Sequence, residues 1–160
     1  QLHGKQGAQV LEESLDIVYW ALNQNDPQGL LQVDREAADA LIARNDHEFK
    51  YWLDRYKYAE RYPELSQEAY RARGEQFLQT LEALLSEHRY LLGDTISIAD
   101  ICIMPFVRQF AHVDRAVFYQ LPYPHLQAWL DNWLETPVFE QVMQSFAPWQ
   151  TGDAPLRFPQ

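Results

Sequence analysis

Beyond its opening stretch, this chain places apolar residues three or four positions apart and fills the gaps with charged and amide side chains, the pattern of successive amphipathic helices. Ile17, Trp20 and Ala21 mark a first helix over residues 14–22. The run Asn23-Gln24-Asn25-Asp26-Pro27-Gln28-Gly29 breaks the pattern. Asp34 then caps a long helix to about Ala59, whose inward stripe is Ala38, Leu41, Ile42, Phe49, Trp52, Leu53 and Tyr56, and Tyr62-Pro63 ends it. Ser66 caps the next helix, to His88, with Ala69, Phe77, Leu78, Leu81, Leu84 and Leu85 inward. Residues 97–112 form a central helix in which Ile98, Ile101, Cys102, Ile103, Met104, Phe106 and Val107 are apolar nearly all round, so burial is expected. Pro105 lies inside it, removes a bond to the carbonyl of Ile101, and is expected to kink it. A short turn near 116–119 precedes a helix over 124–134, with Leu126, Trp129, Leu130 and Trp133 inward. Pro137 opens a last short helix to about Ser145, and the tail from Ala147 reads as irregular.

The strand signal is confined to the start. Gly4-Lys5-Gln6-Gly7 supplies turn chemistry, and Ala8 to Leu11 is an edge strand, as in the last hairpin of a sheet. The fold class is therefore all-α, a bundle of five or six helices preceded by a hairpin and one helix.

One helix start is written out in full. In Gly93-Asp94-Thr95-Ile96-Ser97-Ile98-Ala99-Asp100-Ile101, Ser97 is the N-cap and Asp100 stands at N3, a capping box with Asp in place of Glu. Ile96 and Ile101 occupy the positions of a hydrophobic staple. A second junction, Val10-Leu11-Glu12-Glu13-Ser14-Leu15-Asp16-Ile17, runs from apolar stretch to helix.

Together these segments resemble the cytosolic glutathione transferases. Leu11, Glu13, Ser14 and Ile17 match the motif that closes that family's thioredoxin-like domain. Leu91, Gly93, Ser97, Ala99 and Asp100 match the motif that opens the central helix of its all-helical domain. The resemblance covers nearly the whole chain and implies its organisation. Residues 1–23 end a thioredoxin-like domain, 24–33 are a linker, and 34–160 form the helical domain. The chain begins with Gln1, so it reads as a piece of a longer protein whose catalytic residue, Cys, Ser or Tyr, lies upstream and is not assigned; the fragment alone is expected to be inactive. The implied co-substrate is glutathione, conjugated or thiol-transferred to a small hydrophobic electrophile by a cytoplasmic homodimer. The alternative is a non-catalytic protein-interaction module of the same fold.

Composition narrows the choice. A formal net charge of −10 argues against a nucleic-acid partner, because phosphate binding needs a basic face. No apolar run approaches membrane-spanning length. The single Cys102 excludes an internal disulfide and fits a reducing compartment; inside a buried helix it reads as an inert thiol.

The resemblance assigns Glu13 and Ser14 to glutathione binding; locally, Ser14 also suits a plain helix cap with Glu13 in solvent. Ser97 and Asp100 are read as structural, building the cap. Tyr51, Arg55 and Tyr58 form a second stripe on the long helix. With Phe106 and Phe110 they are the candidates for the electrophile pocket that the resemblance places there, against the alternative that such aromatics are core. Seven of the thirteen Lys and Arg fall between Arg44 and Arg73, interleaved with carboxylates, which reads as a self-paired solvated face. His3, His47, His88, His112 and His125 lack partners at zinc spacing, so no metal is proposed.

Overall fold

The computed structural model describes residues 2–4, 7–9, 14–143, 148 and 150–152. Glu13 and the tail beyond Gly152 lie outside the described residues. Strands β1 (Leu2–Gly4) and β2 (Gly7–Gln9) pair antiparallel with Leu2 opposite Gln9 and Gly4 opposite Gly7. Helices follow: α1 (Ser14–Gln24), α2 (Arg35–Arg44), α3 (Lys50–Lys57), α4 (Gln67–Glu87), α5 (Ile98–Val113), the single turn α6 (Arg115–Phe118), α7 (Pro124–Leu134) and α8 (Pro137–Val142).

The expected long helix is one rod with a loosened turn. Between α2 and α3, residues Asn45–Phe49 wind as a π-helix, and the Lys50 N–H returns to the Asn45 carbonyl five residues back. Such turns concentrate at functional sites. Counting the rod as one, the molecule is the bundle the periodicity indicates.

The core sits where α3, α4, α5 and α7 face one another. Phe49, Phe77, Leu78, Leu81, Ile98, Ile103, Val107, Phe110, Leu126 and Leu130 are among its largest enclosed side chains. Phe49 packs on Phe77 at 5.0 Å and on Phe110 at 5.7 Å between ring centroids. Helix α4 approaches closely because Gly74 faces Phe110: a Cβ at residue 74 would stand 2.7 Å from the Phe110 ring. Trp52, Ala69, Leu84 and Trp133, expected inside, are only half-buried, while Tyr70 and Gly74 take inward positions.

The central helix α5 runs unbroken through Pro105. It is not buried all round. Ile101, Cys102, Met104 and Phe106 are half-buried, and Pro105 is exposed, because neighbours cover only part of its circumference. Its start is held by Asp100, which is 0% exposed. Asp100 Oδ2 accepts from the Ser97 N–H at 3.0 Å and the Ser97 hydroxyl at 2.7 Å. Its Oδ1 accepts from the Leu91 N–H and from the Trp129 indole, both at 3.0 Å. The Ser97 side chain faces the Asp100 backbone N–H in return, so both arms of the expected capping box are present. The buried box thus ties α5 to the preceding loop and to α7.

The polar stretch before α2 is ordered. Asp26 accepts from the N–H groups of Leu30 and Leu31 at 2.8 and 2.9 Å, and Gly29 takes φ +69°, where side chains are strained. The Leu30 carbonyl then accepts from the Ile98 N–H at 3.0 Å, anchoring this turn to the start of α5. Asp34 and Ser66 cap α2 and α4 through the N–H groups of Ala37 and Ala69. Glu82 on α4 accepts from the N–H groups of His125 and Leu126, and so caps α7 from a neighbouring helix.

Candidate functional site

Helix α1 lies against the α2 rod but buries no residue fully; Leu15, Val18, Tyr19 and Leu22 make its apolar contact. Between the two runs an open groove of about 750 Å³, with Ser14 and Asp16 on one wall and Asp39, Asp46, His47 and Lys50 on the other. Ser14 is the first residue of α1, so the positive dipole end of that helix lies beside the groove. The Tyr19 hydroxyl donates to Asp39 Oδ1, and the Arg35 guanidinium reaches Asp39 at 2.9 Å while stacking 4.0 Å from the Tyr19 ring centroid. Burial, then the bond to Asp39, pushes the Tyr19 phenol up to about 12, so it stays protonated at neutral pH and keeps its bond to Asp39. The same bond, ahead of Arg35, holds Asp39 below the usual carboxylate range.

A second groove, of about 260 Å³, opens between α3 and α5. Leu53 and Phe106 give it an apolar floor; Lys50, Asp54, Lys57, Tyr58 and Gln109 complete it. Lys50 lines both grooves. Its ammonium sits 3.2 Å from Asp46 Oδ1 and 4.5 Å from the Phe106 ring centroid, so one side chain bridges the polar groove and the apolar one.

The structure separates the five aromatic and basic candidates. Tyr58 and Phe106 come together in the second groove. Tyr51 and Arg55 do not line it: Tyr51 is 48% exposed, and Arg55 lies between the Tyr51 and Tyr62 rings, 3.4 and 4.5 Å from their centroids. The cause is the end of α3. The helix stops at Lys57, and Tyr58 takes φ −122° and ψ 43°, which removes it from the stripe of residues 51 and 55. Phe110 is 1% exposed and packs on Phe49, Tyr56 and Gly74 as core. Ser97 and Asp100 are enclosed in the cap, away from either groove. Lys57 and Gln109 also line this groove; the one sequence signal, that Lys50, Leu53 and Lys57 share a helical face, covers Lys57 alone.

Burial, followed by the negative charge of Asp46, pushes the Cys102 thiol up to about 11, which makes it a poor nucleophile. Among the described residues, no group of three or more His, Cys, Asp or Glu side chains converges on a metal position. No helix among them is long and apolar enough to cross a membrane.

The family description "Glutathione S-transferase, C-terminal domain" matches residues 51–132, just over half of the chain, and the chain belongs to that family. A probable glutathione S-transferase of Oryza sativa subsp. japonica is 32% identical over 71 residues, which are 44% of this chain and 32% of that protein. The chain thus spans about a third of the length of this curated relative. Among solved structures, a glutathione S-transferase from Rhodospirillum rubrum superposes with a TM-score of 0.70 at 20% identity, over 91% of this chain and 70% of that one. A glutathione transferase from Burkholderia graminis, solved with two glutathione molecules per subunit, gives 0.69 at 18% identity, over 87% of this chain and 62% of that one. One from Pseudomonas putida, solved with glutathione disulfide, gives 0.64 at 19% identity, over 82% and 60% of the two chains. These likenesses establish the shared fold.

Proposed function

We propose that this chain is part of a glutathione transferase in which residues 1–23 close a thioredoxin-like domain, 24–33 link, and 34–160 form the helical domain. Glutathione docks by its γ-glutamyl end at Ser14 and Glu13, and a small electrophile lies in the groove of Tyr58 and Phe106. The observation that carries this reading is that the groove holding Ser14 and the groove holding Phe106 share Lys50. Two reactants bound there lie side by side, and positioning of this kind supplies much of a thiol-transfer barrier. Neighbours of the same fold carry glutathione, which supports the ligand assignment.

The physical chemistry suits the tripeptide. The α1 N-terminus favours a carboxylate, the Ser14 hydroxyl donates to it, and Glu13 pairs with the ligand's ammonium. The glutathione thiolate then forms a C–S bond with the electrophile while the leaving group departs with the bonding pair. In thiol transfer the same sulfur displaces a thiolate from a disulfide. None of the residues assigned here activates the thiol, so these 160 residues by themselves are expected to be inactive. The working protein is a cytosolic homodimer.

Steady-state kinetics of the longer protein test the division of labour. Ser14→Ala raises KM for glutathione, and Phe106→Ala raises KM for the electrophile while leaving that for glutathione unchanged. If both variants move the same parameter, or neither moves one, the two-groove reading is wrong.

A further inference from the structure

The second groove carries information about its occupant, and this inference rests on the two-groove reading. The chain has three lysines, Lys5, Lys50 and Lys57, against a net charge of −10. Two of the three line this one small groove. Lys50 is engaged by Asp46 at 3.2 Å. Lys57 has no carboxylate within ion-pair distance among the described residues; its ammonium lies 5.0 Å from the Tyr58 ring centroid. Asp54, the carboxylate on the groove wall, accepts from the Tyr62 hydroxyl at 2.7 Å. The Tyr58 hydroxyl and the Gln109 side-chain amide have no hydrogen-bond partner among the described residues. An apolar floor of Leu53 and Phe106 is thus flanked by an ammonium, a hydroxyl and an amide with donors to spare.

We infer that this groove takes a flat aromatic or conjugated acceptor bearing a carboxylate, its ring on Phe106 and its carboxylate at Lys57, with Tyr58 and Gln109 as flanking donors. A molecule with net charge −10 repels anions in general, so a local unpaired cation on an apolar floor is what admits this class. Lys57 is exposed, so its contribution is screened and modest in size.

The test compares naphthalene-2-carboxylate with its neutral isostere naphthalene-2-carboxamide, titrated into the 160-residue chain and followed by amide chemical shifts. The carboxylate is expected to bind about threefold tighter at low salt, in line with an exposed ion pair, and the preference fades as salt is added. In Lys57→Gln the two affinities converge, whereas Phe106→Leu weakens both ligands; thermal melts confirm that each variant folds. Equal affinities in the parent chain, or a preference that survives Lys57→Gln, overturn the anion assignment and leave the two-groove reading standing. Binding of both ligands that is indifferent to Phe106→Leu, or no binding of either, overturns both.

Discussion

Asp100 accepts four hydrogen bonds at a point with no exposure to water. Its identity as a cap residue was legible in the chain, because Ser-x-x-Asp before an apolar run has a local mechanism. Its partners Leu91 and Trp129 were not, since they arrive through tertiary packing from residues 9 and 29 positions away. The difference changes the expected cost. A cap alone is worth about 1 kcal/mol. Asp100→Ala strands three buried N–H groups as well, so urea unfolding is expected to show a loss of about 3 kcal/mol. A variant that melts unchanged removes this role. Cys102 gives a second residue-level expectation. With the folded thiol at about 11 against an ordinary 9, the folded state keeps a proton that the unfolded chain releases between those values. The contribution to stability is complete below pH 9 and is lost as pH rises through 11. At pH 8 a disulfide reagent therefore modifies Cys102 far more slowly in the folded chain than after addition of denaturant.

At the scale of elements, periodicity located the helices but not their terminations. An uninterrupted helix would put Tyr58 on one face with Tyr51 and Arg55; the helix stops one residue too early. The π turn at Asn45–Phe49 left no trace in the apolar spacing, since Ala38, Leu41, Ile42, Phe49, Leu53 and Tyr56 stay inward on either side of it. Gly74 was invisible for a different reason: a glycine in a helix reads as a weakness, and here it is the contact point for Phe110. Gly74→Ala gains about 1 kcal/mol in helix propensity but forces a methyl to 2.7 Å from an enclosed ring, and such overpacking costs about 1–3 kcal/mol. The clash wins, so a lower melting temperature is expected. Helix α1 contrasts with α4 and α5. It has no fully buried residue, Ile17 is 47% exposed, and its polar tie to α2 is the surface cluster of Tyr19, Arg35 and Asp39. Hydrogen exchange is expected to be fast in α1 and slowest in α4 and α5. Equal protection across the three would contradict the packing described here.

For the whole molecule, the bundle was legible because helical periodicity persists through most of the chain and each helix carries its own start and stop signals. The grooves were not, because a cleft is made by residues distant in sequence: Ser14 and His47, and likewise Lys57 and Gln109, come to line one cleft only after the helices pack. Glu13 and Ser14 were singled out through a motif, and the structure sets Ser14 at the head of α1 beside the larger groove. This helix start is proposed to grip the γ-glutamyl end of glutathione. Isothermal titration calorimetry of glutathione into the protein and its Ser14→Ala variant tests it most directly. Loss of a hydrogen bond to a charged ligand group predicts a Kd raised about tenfold or more. An identical Kd for the two proteins, with both correctly folded, would contradict it.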